Sequence, residues 1–153
     1  MTSRGVDLEQ LQVRAELGDA LATFCERLDE YRVSEALAVF SEDCVTDYGP
    51  GAGGPLEGRA AFQQRVEASH ARFVRTHHQL GQTSYVIDGD VAETVSYVTA
   101  WHEYPDGRQD TVWLRYVDRW KHGPEGWRIE RREALTSGVD GFPGREWRFV
   151  PRR

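Results

Sequence analysis

A neutral imidazole titrates near ~6.5 and can take a proton at cellular pH without a metal or a cofactor. The histidines are therefore the first residues to place. His78 follows His77 in the run Thr76-His77-His78-Gln79-Leu80, and on an extended chain two successive side chains point to opposite faces. We read His78 as the inward one and as a general base, a role that contributes on the order of 10²–10⁴ in rate, and His77 as exposed. His102 closes a row of small side chains, Ala92, Thr94, Ser96, Val98 and Ala100. That row leaves room for a ligand where a sheet face packed on a helix would carry Leu and Ile. Asp118 shares a strand face with Val112, Leu114, Tyr116 and Trp120; a carboxyl in apolar surroundings has a raised pKa and can act as an acid. Its alternative is an ion pair with a neighbouring strand's arginine, Arg128 or Arg131. His70, His77 and His78 suggest a metal site, but no carboxylate at ligand spacing completes it, so no metal is expected.

These residues need a scaffold. Apolar residues at helical spacing, Leu17, Leu21, Phe24, Cys25 and Leu28, make Val6 to about Glu30 a long amphipathic helix. A short helix follows, with Val33, Ala36, Leu37 and Phe40 on one side, then a strand over Cys44 to Tyr48. The glycine-rich loop 49–55 lacks the Gly-Lys-Ser/Thr ending of a phosphate cradle and reads as a flexible lip. Gly58-Arg59-Ala60 opens a third helix whose Phe62, Val66 and Phe73 face one way, leaving Gln63, Arg65 and Glu67 solvated. Thr76 to Tyr104 is a hairpin turned at Asp88-Gly89-Asp90. Strands over Thr111 to Trp120 and Trp127 to Glu133 complete a four-stranded antiparallel meander, an α+β architecture.

At 153 residues the chain fits one domain, large enough to bury roughly 68–70% of its unfolded surface. We take 1–153 as that domain, with 1–14 and 138–153 as peripheral terminal segments. The formal net charge of −6 argues against nucleic-acid binding, which calls for a basic patch. Arg145, Arg148, Arg152 and Arg153 cluster at a terminus and read as a solvated or subunit-contacting tail. No apolar run approaches the ~20 residues of a membrane span. Cys25 and Cys44 lie on apolar segments without Cys-x-x-Cys spacing or a secretory leader, which suggests buried free thiols in a reducing cytoplasm, with a disulfide as the alternative.

Several motifs, taken in order, resemble the nuclear-transport-factor-2-like superfamily in its branch of SnoaL-like polyketide cyclases and scytalone-dehydratase-like proteins. They are Leu37-Ala38-Val39-Phe40-Ser41-Glu42-Asp43-Cys44-Val45 leading into Asp47-Tyr48, Gly58-Arg59-Ala60, Thr76-His77-His78, Ile87-Asp88-Gly89-Asp90-Val91-Ala92 and Gly126-Trp127-Arg128-Ile129. The resemblance covers about residues 15–137 and implies a cone-shaped fold of N-terminal helices packed on a curved antiparallel sheet. That fold hosts several activities and does not by itself choose among them.

The resemblance further implies that Asp29, at the end of the long helix, pairs with His78, and that Tyr48 and His102 bind a substrate oxygen or a water. It also places Val117-Asp118-Arg119-Trp120 beside the acid–base aspartate of the cyclases. The chain departs from the dehydratase pattern at Leu28, where that pattern has a tyrosine, and near Tyr116, where it has an asparagine. The expected function is a cofactor-independent cyclase, isomerase or dehydratase acting on a hydrophobic oxygenated molecule, such as a polyketide or aromatic intermediate. Its catalytic residues would be His78, Asp29 and Asp118, its substrate contacts Tyr48, His102, Tyr116 and Trp101, with Trp113 and Trp120 as further walls. A cytoplasmic homodimer without nucleic-acid or membrane partners is expected. The rival is a non-catalytic protein, either a small-molecule binder or a structural β-type subunit of an aromatic-ring dioxygenase, whose cone would be filled with apolar side chains.

Overall fold

The computed structural model describes residues 7–153, so a helix start at Val6 and the first six residues of the 1–14 segment lie outside the described residues. Asp7 caps helix α1, Leu8–Asp29, by accepting from the backbone N–H groups of Glu9 and Gln10, which satisfies two of the donors a helix start leaves open. The expected stripe Leu17, Leu21, Phe24, Cys25 and Leu28 is the buried face of that helix. Helix α2 spans Val33–Leu37 and helix α3 spans Arg59–His70. Phe40, expected on the α2 face, instead opens strand β1, Phe40–Asp47.

Strands β2 (Pro55–Glu57), β3 (Arg75–Asp88), β4 (Val91–Glu103), β5 (Gln109–Gly123) and β6 (Gly126–Asp140) follow. The meander β3 to β6 stands as expected, but the sheet has six strands in the order β2-β1-β6-β5-β4-β3, with β1 parallel to β6. Ala92, Thr94, Ser96, Val98, Ala100 and His102 on β4, and Val112, Leu114, Tyr116, Asp118 and Trp120 on β5, all face inward and are buried. Strand β6 runs beyond Glu133 to Asp140, and its register against β5 shifts between Trp113 and Leu114, leaving Ser137 as the extra residue. A second shift leaves Glu130 extra on β6, and a third falls between Leu80 and Thr83 on β3. Such bulges bend a sheet and increase its twist, and here they curl it over the helices into the expected α+β cone.

The C-terminal segment 138–153 is not peripheral, contrary to the sequence expectation. Gly141 has φ +93°, and a Cβ there would clash with Asp110 Oδ1. The same carboxylate accepts from the Phe142 backbone N–H at 3.1 Å, so the turn returns the chain over the cone. The Thr136 backbone N–H then donates to the Arg148 carbonyl, the Val150 N–H donates to the Thr136 carbonyl, and Arg148 Nη1 donates to Asp47 at 2.6 Å. The tail is thereby tied to β1 and β6. Both cysteines are free and buried, and burial pushes the Cys25 thiol up to about 11. Among the described residues no helix is long and apolar enough to cross a membrane.

Candidate active site

Between α1, α3 and the inner face of the sheet lies a cavity of about 290 Å³, at the small end of ligand pockets, which run ~300–1,000 Å³. Aromatic rings reach it from both helices, the sheet and the C-terminal tail. Phe24 comes from α1, Phe62 from α3, Tyr48 from the end of β1, Tyr116 from β5, and Phe142 and Trp147 from the returning tail.

Asp29 is the last residue of α1, where the negative end of the helix dipole disfavours a carboxylate. Three donors offset this. His78 Nδ1 lies 2.7 Å from Oδ1, the His78 backbone N–H donates to Oδ2 at 2.8 Å, and the Thr76 hydroxyl donates to Oδ1 at 2.9 Å. Burial alone would raise the Asp29 carboxyl; the His78 side chain and backbone, with Thr76, outweigh it and hold the group below the usual carboxylate range. A carboxylate only accepts, so His78 carries its proton on Nδ1 and keeps the Nε2 lone pair for the cavity. The side chain of His77 lies on the opposite face and is 69% exposed.

His102 lines the same cavity, with its ring centroid 5.7 Å from that of His78. His70 joins them from the end of α3, 5.9 Å from His78. Its Nδ1 lies 3.2 Å from the Val66 carbonyl, which fixes the proton there, while Nε2 is buried with no partner. The sequence reading left His70 out of the site, although its spacing from Phe62 and Val66 puts it on the same helix face. The metal trio considered from sequence thus has the wrong member. His70, His78 and His102 each offer a ligand atom within 4.8 Å of the others, and this is the set that could hold a divalent ion.

Burial, then the His78 charge, pushes His70 down to about 4; burial, then His78 and His70, pushes His102 down to about 3. Both rings are neutral at pH 7. The unfolded chain protonates these imidazoles near ~6.5 while the folded one does not. Their contribution to stability is therefore complete above ~6.5 and is lost as pH falls through the folded values, by up to about 1.4 kcal/mol per pH unit for each ring. Urea unfolding should show a midpoint that drops between pH 7 and pH 5, and His102→Gln should flatten the drop. A flat wild-type profile would contradict the assignment.

Tyr48 reaches the cavity with its hydroxyl 3.5 Å from Arg132 Nη1, a long contact. Because the arginine only donates, the phenol proton is left free for a ligand; burial pushes the phenol above its usual range. Tyr116 is a wall, its ring 3.9 Å beneath the Arg132 guanidinium.

Two expectations do not carry over. Asp118 does not line the cavity: both its oxygens are held at 2.7 Å by Arg132, and neither side chain is exposed to solvent. The pairing expected with Arg128 or Arg131 fell to Arg132 because the bulge at Glu130 advances the register by one, setting Asp118 directly opposite Arg132. The positive charge is opposed by burial, but the Asp118 carboxylate holds the Arg132 pKa well above the usual arginine value. Trp101 faces the outside of the sheet and donates to Gln109 at 3.1 Å. Alternation requires this, since Ala100 and His102 on either side face in. Trp113 is also outside, while Trp120 is buried against Thr94 beyond the cavity.

A curled sheet closed by helices into a cone, with a polar cluster in an aromatic cavity, is the form of the nuclear-transport-factor-2-like class. Residues 9–133 match the SnoaL-like domain, and the chain belongs to that family. It is 28% identical over 130 residues to an uncharacterized protein of Mycobacterium tuberculosis, covering 83% of this chain and 87% of the relative. A structure from Novosphingobium aromaticivorans, described as that of a candidate scytalone dehydratase, superposes with a TM-score of 0.85 at 24% identity, covering 95% of this chain and 97% of the other. Hexachlorocyclohexane dehydrochlorinase LinA-type3 from Novosphingobium barchaimii superposes with a TM-score of 0.75 at 14% identity, covering 96% and 100%. At these identities the structural likenesses concern the fold.

Proposed function

We propose that the chain is an acid–base enzyme that needs no cofactor and acts on a hydrophobic, oxygenated small molecule such as a polyketide or aromatic intermediate. The observation that carries this is the Asp29–His78 pair, 2.7 Å apart with His78 on the cavity wall. In this reading His78 Nε2 removes a proton from carbon next to a carbonyl, and Asp29 stabilises the imidazolium that forms. The Tyr48 hydroxyl donates to the carbonyl oxygen as negative charge develops there, and neutral His102 contacts the same oxygen or a leaving hydroxyl. The proton then returns to another carbon in an isomerisation or cyclisation. In a dehydration the C–O bond breaks, the C=C bond forms, and the hydroxyl departs with the proton as water.

Elimination chemistry in the names of two structural neighbours, a dehydratase and a dehydrochlorinase, agrees with this reading. The structural-subunit form of the rival calls for a cone filled with hydrocarbon, and an open cavity with imidazoles facing into it disfavours that form. A homodimer in the cytoplasm belongs to the same proposal, and Val86, Tyr97 and Trp113, exposed on the sheet, offer apolar surface for a partner.

The test uses β-hydroxy ketones bearing an aromatic ring, incubated with the protein in D2O and followed by NMR. Deuterium should enter the α-carbon of at least one compound, and His78→Ala should abolish the exchange. Binding without exchange across the panel would favour the non-catalytic rival.

A further inference from the structure

The mouth of the cavity carries charge that the acid–base reading does not use. Arg72 and Arg145 line the inner cavity and also an outer cleft that continues from it, where Arg108 joins them. The chain has 25 acidic residues against 19 basic ones, and other arginines have found carboxylates: Arg148 lies 2.6 Å from Asp47, and Arg132 is held by Asp118. Among the described residues Arg72, Arg108 and Arg145 have no carboxylate within 4.0 Å. Glu146 lines the outer cleft too, yet pairs with none of them.

Each guanidinium is instead laid on an aromatic ring. Arg145 lies 4.4 Å from the centre of Trp147, Arg108 lies 4.0 Å from Tyr104, and Arg72 lies 5.5 Å from Phe73. A ring face fixes the plane of a guanidinium and leaves its edge open to a ligand; of these three, Arg72 spends its Nε on the Ser69 carbonyl at 3.1 Å and keeps its two terminal nitrogens. Arg145 Nε is buried with no hydrogen-bond partner, which costs free energy unless a ligand supplies the acceptor. Burial, and then the Arg72 charge, holds the Arg145 guanidinium below the usual arginine range. Arg72 and Arg108 are exposed and Arg145 is partly buried; gathering three like charges at one rim is unfavourable without an anion between them.

We propose that Arg72, Arg108 and Arg145 form a subsite for an oxyanion, a carboxylate or phosphate, borne by a substrate whose apolar part occupies the inner cavity. Planar guanidinium donors suit both groups through paired hydrogen bonds. The inference rests on the small-molecule reading of the cavity, but not on the chemistry assigned to His78. It makes the true substrate an acid or a phosphorylated compound, with the charged end at the mouth and the reacting carbon inside.

Isothermal titration with 1-naphthol, 1-naphthoate and 1-naphthyl phosphate tests it, since the three share one apolar body and differ in charge. At least one anion should bind about tenfold tighter than the neutral alcohol, equivalent to about 1.4 kcal/mol. The tighter of the two anions identifies the group as carboxylate or phosphate. The Arg72→Gln/Arg145→Gln double variant should lose the preference while keeping its affinity for 1-naphthol, which also shows that it has folded. In wild-type protein, raising sodium chloride should weaken the anion and leave the alcohol unchanged. Equal binding of all three probes, no binding of any, or a preference that survives the double variant would overturn the proposal. His78→Ala should keep the preference intact, so a failure of the catalytic reading and a failure of this one are separately visible.

Discussion

Asp29→Asn should lower kcat by on the order of 10²–10⁴, the range attributed to a positioned acid–base group, with KM changed little. The reason is a count of acceptors. Three donors converge on the Asp29 carboxylate: His78 Nδ1–H, the His78 backbone N–H and the Thr76 hydroxyl. Asparagine offers one acceptor oxygen and turns an NH2 group towards whatever the other oxygen had accepted from. Either the backbone N–H loses its partner, or the imidazole turns to its other tautomer and presents a proton to the substrate. In both cases the negative charge that stabilises imidazolium is gone. His78→Ala should cost at least as much, and the double variant no more than the worse single, because the two act as one unit. Steady-state kinetics on a substrate found by deuterium exchange would measure this; native turnover in either variant would remove the dyad from the mechanism. The lowered pKa of Asp29 fixes the pH window. Its contribution to stability is present above the unfolded carboxyl value of ~3.9 and is lost only as pH falls through the folded value. At neutral pH the comparison is therefore between folded proteins with different chemistry.

The parts of this protein governed by short-range periodicity could be read from its sequence. The stripe on α1 and the alternation on β4 and β5 each depend only on which way successive side chains point, and the structure agrees residue by residue. His78 facing in while His77 faces out follows from the same rule. Events one residue long in the sheet were not legible. The bulge at Glu130 set Asp118 opposite Arg132 rather than Arg128 or Arg131, and β6, expected to end at Glu133, runs on through the bulge at Ser137 to Asp140. The third wall of the cavity was equally hidden. Phe142 and Trp147 enter it only because Asp110, some thirty residues earlier, accepts from the Phe142 backbone and Gly141 leaves space for that carboxylate. No local pattern announces a long-range bond of that kind. His70 was different, since its spacing from Phe62 and Val66 was visible, yet it was weighed only as a metal ligand beside His77 and His78.

Asp118→Ala should destabilise the fold rather than disable the chemistry, by about 3–5 kcal/mol, the usual cost of removing one partner from a buried ion pair. In a chain of this length, that is a fall in Tm on the order of 10 °C. Arg132 cannot shed its proton to escape. Its guanidinium lies among Phe24, Phe40 and Tyr116, with ring centres 4.6, 5.0 and 3.9 Å away, and neither partner's side chain is exposed to solvent. With the carboxylate gone, an uncompensated charge remains in an aromatic core. Replacing both partners with apolar groups, as in Asp118→Leu/Arg132→Met, removes the charge along with its desolvation cost and should recover most of the lost stability. Thermal melts of the two proteins would show it. A catalytic acid at Asp118 demands the opposite pattern, in which Asp118→Asn leaves the melt unchanged and removes turnover. Arg132 also donates to the Tyr48 hydroxyl at 3.5 Å, so the apolar pair, though stable, should turn over more slowly than wild type. In the proposed mechanism the Asp118–Arg132 pair acts only by fixing which way a phenol on the cavity wall directs its proton.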